Sequence, residues 1–289
     1  HEDRAAPLRF KELLVVDRGP RPKRPPVDRV YLLRPNVGVT AGLHPVEPSP
    51  GWYEAFSGSP LPPSLPFLQV RRRNGTLGGK PLCDFPGLID HIPVFSRGAA
   101  EALSDLLMPN GELVPVACTD CDREVVAFNV TRLVRAPDPA ASRIASGGGR
   151  QARDVRRHVF RAQRLTTSPI FKVPETASRR VYVTGAFVDR VLAEELKGFV
   201  FKLIWAKDGP LAFCPYCLAE LYGDTAYCHS CGLEITGEAP VEMTLNEYDA
   251  LPTKVCPFCG SEVPEPADPC PYCGCGIHRH GVETAVAII

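Results

Sequence analysis

Cys214-Pro-Tyr-Cys217, Cys228-His-Ser-Cys231-Gly232, Cys256-Pro-Phe-Cys259-Gly260 and Cys270-Pro-Tyr-Cys273-Gly274 decide how the last third of the chain folds. Ten residues separate the two C-x-x-C pairs in each half, and the second half repeats the first 42 positions later. A C-x-x-C knuckle turns two thiolates toward one point, and two facing knuckles supply the tetrahedral sulfur shell that zinc prefers. Gly232, Gly260 and Gly274 each follow a knuckle directly. Glycine there suits a left-handed residue that lets backbone amides point at sulfur. Two structural zinc ions are expected.

The ligand sets are read as sequential: Cys214, Cys217, Cys228 and Cys231 for one ion, and Cys256, Cys259, Cys270 and Cys273 for the other. A ten-residue spacer suits a hairpin that folds back on its own site. Pairing across the 42-residue repeat is the alternative, and it closes longer loops. Cys275, His278 and His280 lie just past the last knuckle, as substitute ligands or as exposed tail residues. Disulfides are disfavoured by the matched spacers and by an opening stretch without an apolar leader. A redox reading fits poorly, because redox C-x-x-C sits at a helix start in a βαβ unit and is not normally found four times over. Four-cysteine shells are closed, so no catalytic metal is expected.

With 289 residues, 44% hydrophobic and 23% charged, the chain is long enough for two domains and reads as a soluble globular protein. It has no apolar run near the length of a membrane span. Twelve cysteines, mostly assigned to metal, point to a reducing, cytoplasmic setting. Asn74 and Asn129 meet the N-x-T pattern but carry little weight without a secretory route. The net charge of zero hides a division. Residues 211–289 hold eleven Asp and Glu against Lys254 and Arg279, a net −9, so the rest carries +9. Zinc modules that grip nucleic acid present Lys and Arg to phosphate. An acidic one favours a basic protein surface instead.

Residues 1–60 are Pro- and Arg-rich, with Arg21–Pro26 read as a solvated loop and Leu13–Val16 and Val30–Leu33 as short strands, part of the body. An α+β domain is expected over 61–208 and a tandem zinc ribbon over 211–289. Val70–Arg73 reads as a strand turning at Asn74-Gly75. Ser96 is placed to cap a helix whose buried face is Ala99, Ala102, Leu103, Leu106 and Leu107, stopped by Pro109-Asn110-Gly111. Leu113–Val116 and Val125–Val134 read as strands joined by a turn carrying Cys118-Thr-Asp-Cys121, with Asn129 and Thr131 alternating outward. Val181–Val183 reads as a strand, Thr184 as a cap, and Phe187, Val188, Val191, Leu192 and Leu196 as a helix face. Gly198–Trp205 reads as a buried strand closing the body. No βα repeat organises these elements, so the class is α+β.

Five segments in order resemble a known family: Phe85–Ser96, Ala127–Val134, Ile170–Glu175, Arg180–Val191 and Leu196–Trp205. They look like the eleventh immunity-protein family of bacterial polymorphic toxin systems, formerly a domain of unknown function. They are also similar to the myxobacterial double-CxxCG paralogues. The resemblance covers about Leu61 to Trp205. The cysteine-rich tail resembles the double zinc ribbons appended to many prokaryotic proteins. The first resemblance implies a protein that binds and neutralises a cognate toxin, with no catalytic residues to carry over.

Candidate chemistry in the body is sparse. Asp84, Asp90 and His91 lie close in sequence, but Asp90 and His91 on a strand would point to opposite faces. His158 stands beside Arg156 and Arg157 in what reads as a basic solvated strand. Gly147–Gly149 reads as a flexible loop. Cys118 and Cys121 could complete a third metal site with Cys83 and His91. No phosphate loop, nucleophile elbow or H-E-x-x-H is present. The expectation is a non-catalytic immunity protein that meets a protein partner, with no membrane or nucleic-acid contact through the ribbons. The alternatives are a zinc-ribbon adaptor in a larger assembly and a nucleic-acid-binding regulator acting through the basic body.

Overall fold

The structure, a computed structural model, describes residues 27–36, 40–47, 50–63, 65, 68–73, 80–89, 91–138, 140–144, 155–165, 168–207, 209, 212–221, 227–228, 231–235, 241, 243, 245–258, 262–271 and 276–277. The expectations at Leu13–Val16, Arg21–Pro26, Asn74, Asp90, Gly147–Gly149, Cys259, Gly260, Cys273, Gly274, Cys275, His278 and His280 lie outside them.

In chain order the elements begin with β1 (Arg29–Pro35), β2 (Leu43–Pro45), α1 (Pro50–Ala55), β3 (Leu68–Arg72) and β4 (Val94–Ser96). Next come α2 (Arg97–Ala102), α3 (Ser104–Leu107), β5 (Gly111–Cys118), β6 (Val125–Val130), β7 (Arg143–Ile144) and β8 (Val155–Arg157). They continue with β9 (Ile170–Phe171), β10 (Tyr182–Thr184), α4 (Gly185–Ala193) and β11 (Phe199–Ala206). The last are β12 (Ala212–Phe213), β13 (Glu220–Leu221), α5 (Leu245–Ala250), β14 (Thr253–Val255) and β15 (Glu262–Pro264). Helices and strands are mixed through the body, in keeping with the α+β expectation. Two compact units divide the described residues: Leu33–Ala136 with Ala162–Phe201, and Asp28–Leu32 with Pro137–Arg161 and the chain from Lys202 onward.

The first unit is built on a five-stranded sheet of order β2-β3-β5-β6-β4, antiparallel except for the parallel β3–β5 pair. Leu43, Trp52, Phe56, Val70, Val125 and Ala127 meet in one cluster on it. Aromatic rings form a second packed group, with Phe85 stacked on Phe199 at 4.7 Å and Phe95 edge-on to Phe128 at 6.3 Å. Gly198, at φ 92°, lies so close to Cys83 and the Phe85 carbonyl that a Cβ would come within 2.9 Å of the Cys83 Cβ. Only glycine combines that backbone angle with that approach.

Ser96 caps α2 as expected, its hydroxyl accepting from the Ala99 N–H at 3.2 Å. The helical stretch is broken at Leu103, so the apolar face is carried by two short helices, and Leu103, Leu106 and Leu107 are all buried. The expected strand Val125–Val134 ends at Val130, because the Thr131 and Arg132 N–H groups both turn to the Asn110 carbonyl at 3.0 Å. Asn129 does not face solvent as expected. β6 lies between β5 and β4 and is buried along its whole length, and Asn129 is 0% exposed. Its amide donates to the Ser59 carbonyl and the Glu112 carboxylate, both at 2.8 Å. That burial also closes the Asn129 triplet to glycosylation in the folded chain.

A four-stranded sheet runs β11-β1-β10-β9. Gly198–Trp205 was expected to be a buried strand, but β11 sits at an edge of this sheet, and most of its side chains are half-buried. Phe187, Val188 and Val191 bury on α4, whereas Leu192 is 67% exposed and belongs to the outer face. Thr184 occupies the N-cap position with extended backbone, but its side chain makes no cap hydrogen bond.

The second unit contains the β7–β8 pair and the cysteine-rich tail. His158 is not on a solvated strand. It is 4% exposed and stacked on Phe160 at 5.5 Å, and Phe160 meets Trp205 edge-on at 5.9 Å. Among the described residues no helix is long and apolar enough to cross a membrane.

Candidate metal centre

Each knuckle of the first ribbon is closed by the same two backbone bonds. The Leu218 N–H returns to the Cys214 carbonyl at 3.0 Å and the Cys214 N–H donates to the Ala219 carbonyl at 2.9 Å. In the second knuckle the Gly232 N–H returns to the Cys228 carbonyl at 2.7 Å and the Cys228 N–H donates to the Leu233 carbonyl at 2.8 Å. Gly232 has φ 76°, the left-handed angle expected after a knuckle. The equivalent position in the first knuckle is Leu218, which adopts φ 54° without being glycine. Its side chain is 5% exposed, packed with Phe213 and Ala267, so burial offsets a backbone angle that costs an L-residue about 1–2 kcal/mol.

This geometry brings the Sγ atoms of Cys214, Cys217, Cys228 and Cys231 within 4.8 Å of one another. Cys214 and Cys231 are 3.9 Å apart, and Cys217 and Cys228 3.6 Å. A zinc ion with Zn–S bonds of about 2.3 Å at the centre of a tetrahedron sets its sulfurs roughly 3.8 Å apart, so the four fit that ion. Three of the four cysteines are buried and Cys231 is half-buried, and a zinc ion held by all four would have the closed shell of a structural site. The neighbouring Cys214 and Cys228 sulfurs and burial push the Cys217 thiol far above its ordinary range. Burial pushes Cys231 up to about 12. Without metal these thiols keep their protons at neutral pH, so an incoming zinc ion must displace them.

The second ribbon is described in half. Cys256 follows β14 and Cys270 follows β15, both 0% exposed and clustered with Val263. Between the ribbons, α5 brings Tyr248 onto Phe213, with rings stacked at 4.6 Å. Leu218, Ala267, Val241, Met243 and Leu251 complete that small apolar plug. The Asp268 N–H also donates to the Tyr216 carbonyl at 2.9 Å, which ties the second ribbon to the first.

Elsewhere the expected constellations dissolve into structure. The third metal site sought from Cys83, His91, Cys118 and Cys121 does not form, since no three of these converge among the described residues. His91 is buried with its Nε2 2.9 Å from the Tyr53 carbonyl oxygen. Cys118 and Cys121 are joined as a disulfide, with Asp120 beside them. Asp84 is a fastener: it accepts from the Ser96 hydroxyl at 3.0 Å, Arg123 at 3.2 Å and the Lys197 N–H at 2.9 Å. One ionisable group escaped the sequence reading. Lys172 is 0% exposed, its ammonium donates to the Phe56 carbonyl, and burial brings its pKa down to about 7.

No curated protein matches the chain. A family model described as Double zinc ribbon matches residues 214–274, a span that contains all eight knuckle cysteines. With the sulfur geometry of the first knuckle pair, this makes the tail of the chain a zinc-binding double zinc ribbon, a structural or binding module.

Proposed function

We propose that the chain is a non-catalytic immunity protein that binds a cognate bacterial toxin and blocks it, with the ribbons as a rigid, acidic recognition module. The observation that carries this reading is the surface chemistry of the ribbons. Tyr227, Leu233, Val255 and Phe258 are 58, 42, 62 and 48% exposed on a segment of net charge −9. Each four-thiolate zinc shell adds a formal −2. Exposed apolar side chains framed by one sign of charge suit a protein partner of the opposite sign. The five-segment resemblance of the body supports the choice of a toxin as that partner.

The test is growth protection. The chain, as the native protein and as Val255→Glu with Phe258→Glu, is co-expressed with each protein encoded by the genes flanking its own that inhibits growth when expressed alone. Native protein is expected to rescue growth, and the variant to lose rescue while keeping its zinc. No rescue by the native protein, together with no toxin-domain protein co-purifying with it, refutes the reading. The same exposed side chains also suit a second reading, an adaptor seated in a larger assembly. In that case the native chain would co-purify with several stoichiometric subunits and give no protection.

A further inference from the structure

The chain carries a fifth C-x-x-C, at Cys118 and Cys121, and it differs in kind from the four knuckles. In the first ribbon four sulfurs converge within 4.8 Å of one another, as a shared ion requires. Among the described residues Cys118 and Cys121 have no second cysteine pair facing them, and they are bonded to each other, with Cα atoms 5.4 Å apart. Both are half-buried at the end of the β5–β6 hairpin, so small molecules reach them.

We propose that Cys118 and Cys121 form a reversible thiol–disulfide site that exchanges with small cellular thiols, chemically separate from the zinc of the ribbons. Two observations carry this. First, the bond closes a loop of only three positions, the kind that removes least entropy from the unfolded chain and so staples the fold least. Second, the backbone around it is anchored without the bond. Cys118 is in parallel register with Val70 of β3, and the Thr119 N–H donates to the Val70 carbonyl at 3.3 Å. The Asp120 carboxylate accepts the Arg72 N–H at 2.8 Å. Those contacts hold the hairpin end in either oxidation state, so the pair cycles without unfolding the sheet. In the dithiol state the Asp120 carboxylate, 3.7 Å from the Cys118 sulfur, accepts its S–H.

The exchange balances with a monothiol of the glutathione class. One thiolate attacks a sulfur of the pair, forming a mixed disulfide and releasing the other cysteine as thiolate. A second small thiolate attacks the small-molecule sulfur of that mixed disulfide and expels the protein cysteine as thiolate, leaving two protein thiols and one small-molecule disulfide. Two electrons pass from the two thiols to the protein.

The test uses the full, zinc-loaded chain equilibrated over a graded series of reduced to oxidised glutathione, then trapped with iodoacetamide and read by peptide mass. The peptide holding Cys118 and Cys121 is expected to pass from no label to two across the series. Zinc content should stay constant, and the near-ultraviolet circular dichroism should match that of Cys118→Ala with Cys121→Ala. Three results overturn the proposal. Labelling only in denaturant would make the bond a structural staple. Two labels at every ratio would mean the pair never closes. A third zinc per chain in the reduced protein, lost in the double alanine variant, would make it a metal site.

Discussion

Replacing Lys172 with methionine is expected to flatten the pH dependence of the body's stability. The ammonium is fully buried, bonded to the Phe56 carbonyl, and among the described residues it has no carboxylate partner. Burial brings its pKa from 10.5 to about 7, which at about 1.4 kcal/mol per pH unit corresponds to about 5 kcal/mol. Between those two values the unfolded chain holds the proton and the folded chain does not. Stability therefore rises with pH through that window and is lowest below pH 7. From pH 7 to pH 9 the native protein should gain about 2 kcal/mol. Methionine removes the charge but leaves the Phe56 carbonyl without its donor, a loss of about 1–3 kcal/mol. The variant should thus be more stable than the native protein at pH 6 by about 2–4 kcal/mol, with the two converging near pH 9. Trp52 stacks on Phe56 at 5.1 Å, so its fluorescence in a Trp205→Phe background reports urea midpoints at this spot. Parallel pH slopes for the two proteins, or a methionine variant that is the weaker at pH 6, would refute the reasoning.

Four other outcomes are expected. Chelation at neutral pH should release about two zinc ions per chain and melt the ribbons while the Trp52 transition persists, because ligation supplies a ribbon's folding energy; a single joint loss of both, seen by circular dichroism and fluorescence together, would contradict this. Cys217→Ala should lower the zinc content measured by elemental analysis and leave the Trp52 transition unmoved. Asp84→Ala, which strips the acceptor from Ser96, Arg123 and Lys197, should cost about 1–3 kcal/mol in urea denaturation. Leu218→Gly relieves a left-handed angle but forfeits a buried leucine worth about 2–5 kcal/mol, so the chelator concentration that empties the first ribbon should fall.

The first ribbon's ligand set was legible because a knuckle is local: four residues set the turn, and cysteine spacing alone reports which sulfurs can meet. Ser96 was legible for the same reason, since a cap is decided within three residues. What escaped depends on neighbours distant in sequence. Val125–Val130 is a continuous apolar run apart from Asn129, and the polar side chain was read as a solvent marker when it is the acceptor's partner inside a sheet. Nothing local in Ile170-Phe-Lys-Val173 marks its lysine as buried, yet the Phe56 carbonyl, 116 residues away, receives that ammonium indoors. Phe199–Ala206 is as apolar as a central strand, but strand order, not composition, puts it at an edge. His158 was misread through its arginine neighbours, when its ring contact with Phe160 is what places it.

The plug between the ribbons has a consequence for how the tail acquires metal. Phe213 and Leu218 belong to the first ribbon and Ala267 to the second, and the Asp268–Tyr216 bond ties the same two pieces. Neither half finishes its apolar contacts until the other is in shape. With zinc in both ribbons, filling one site should lower the ordering cost of filling the other, and a titration is expected to run steeply, with singly loaded chains scarce. In a cell short of zinc, such a tail is expected to divide the population into fully dressed and bare molecules.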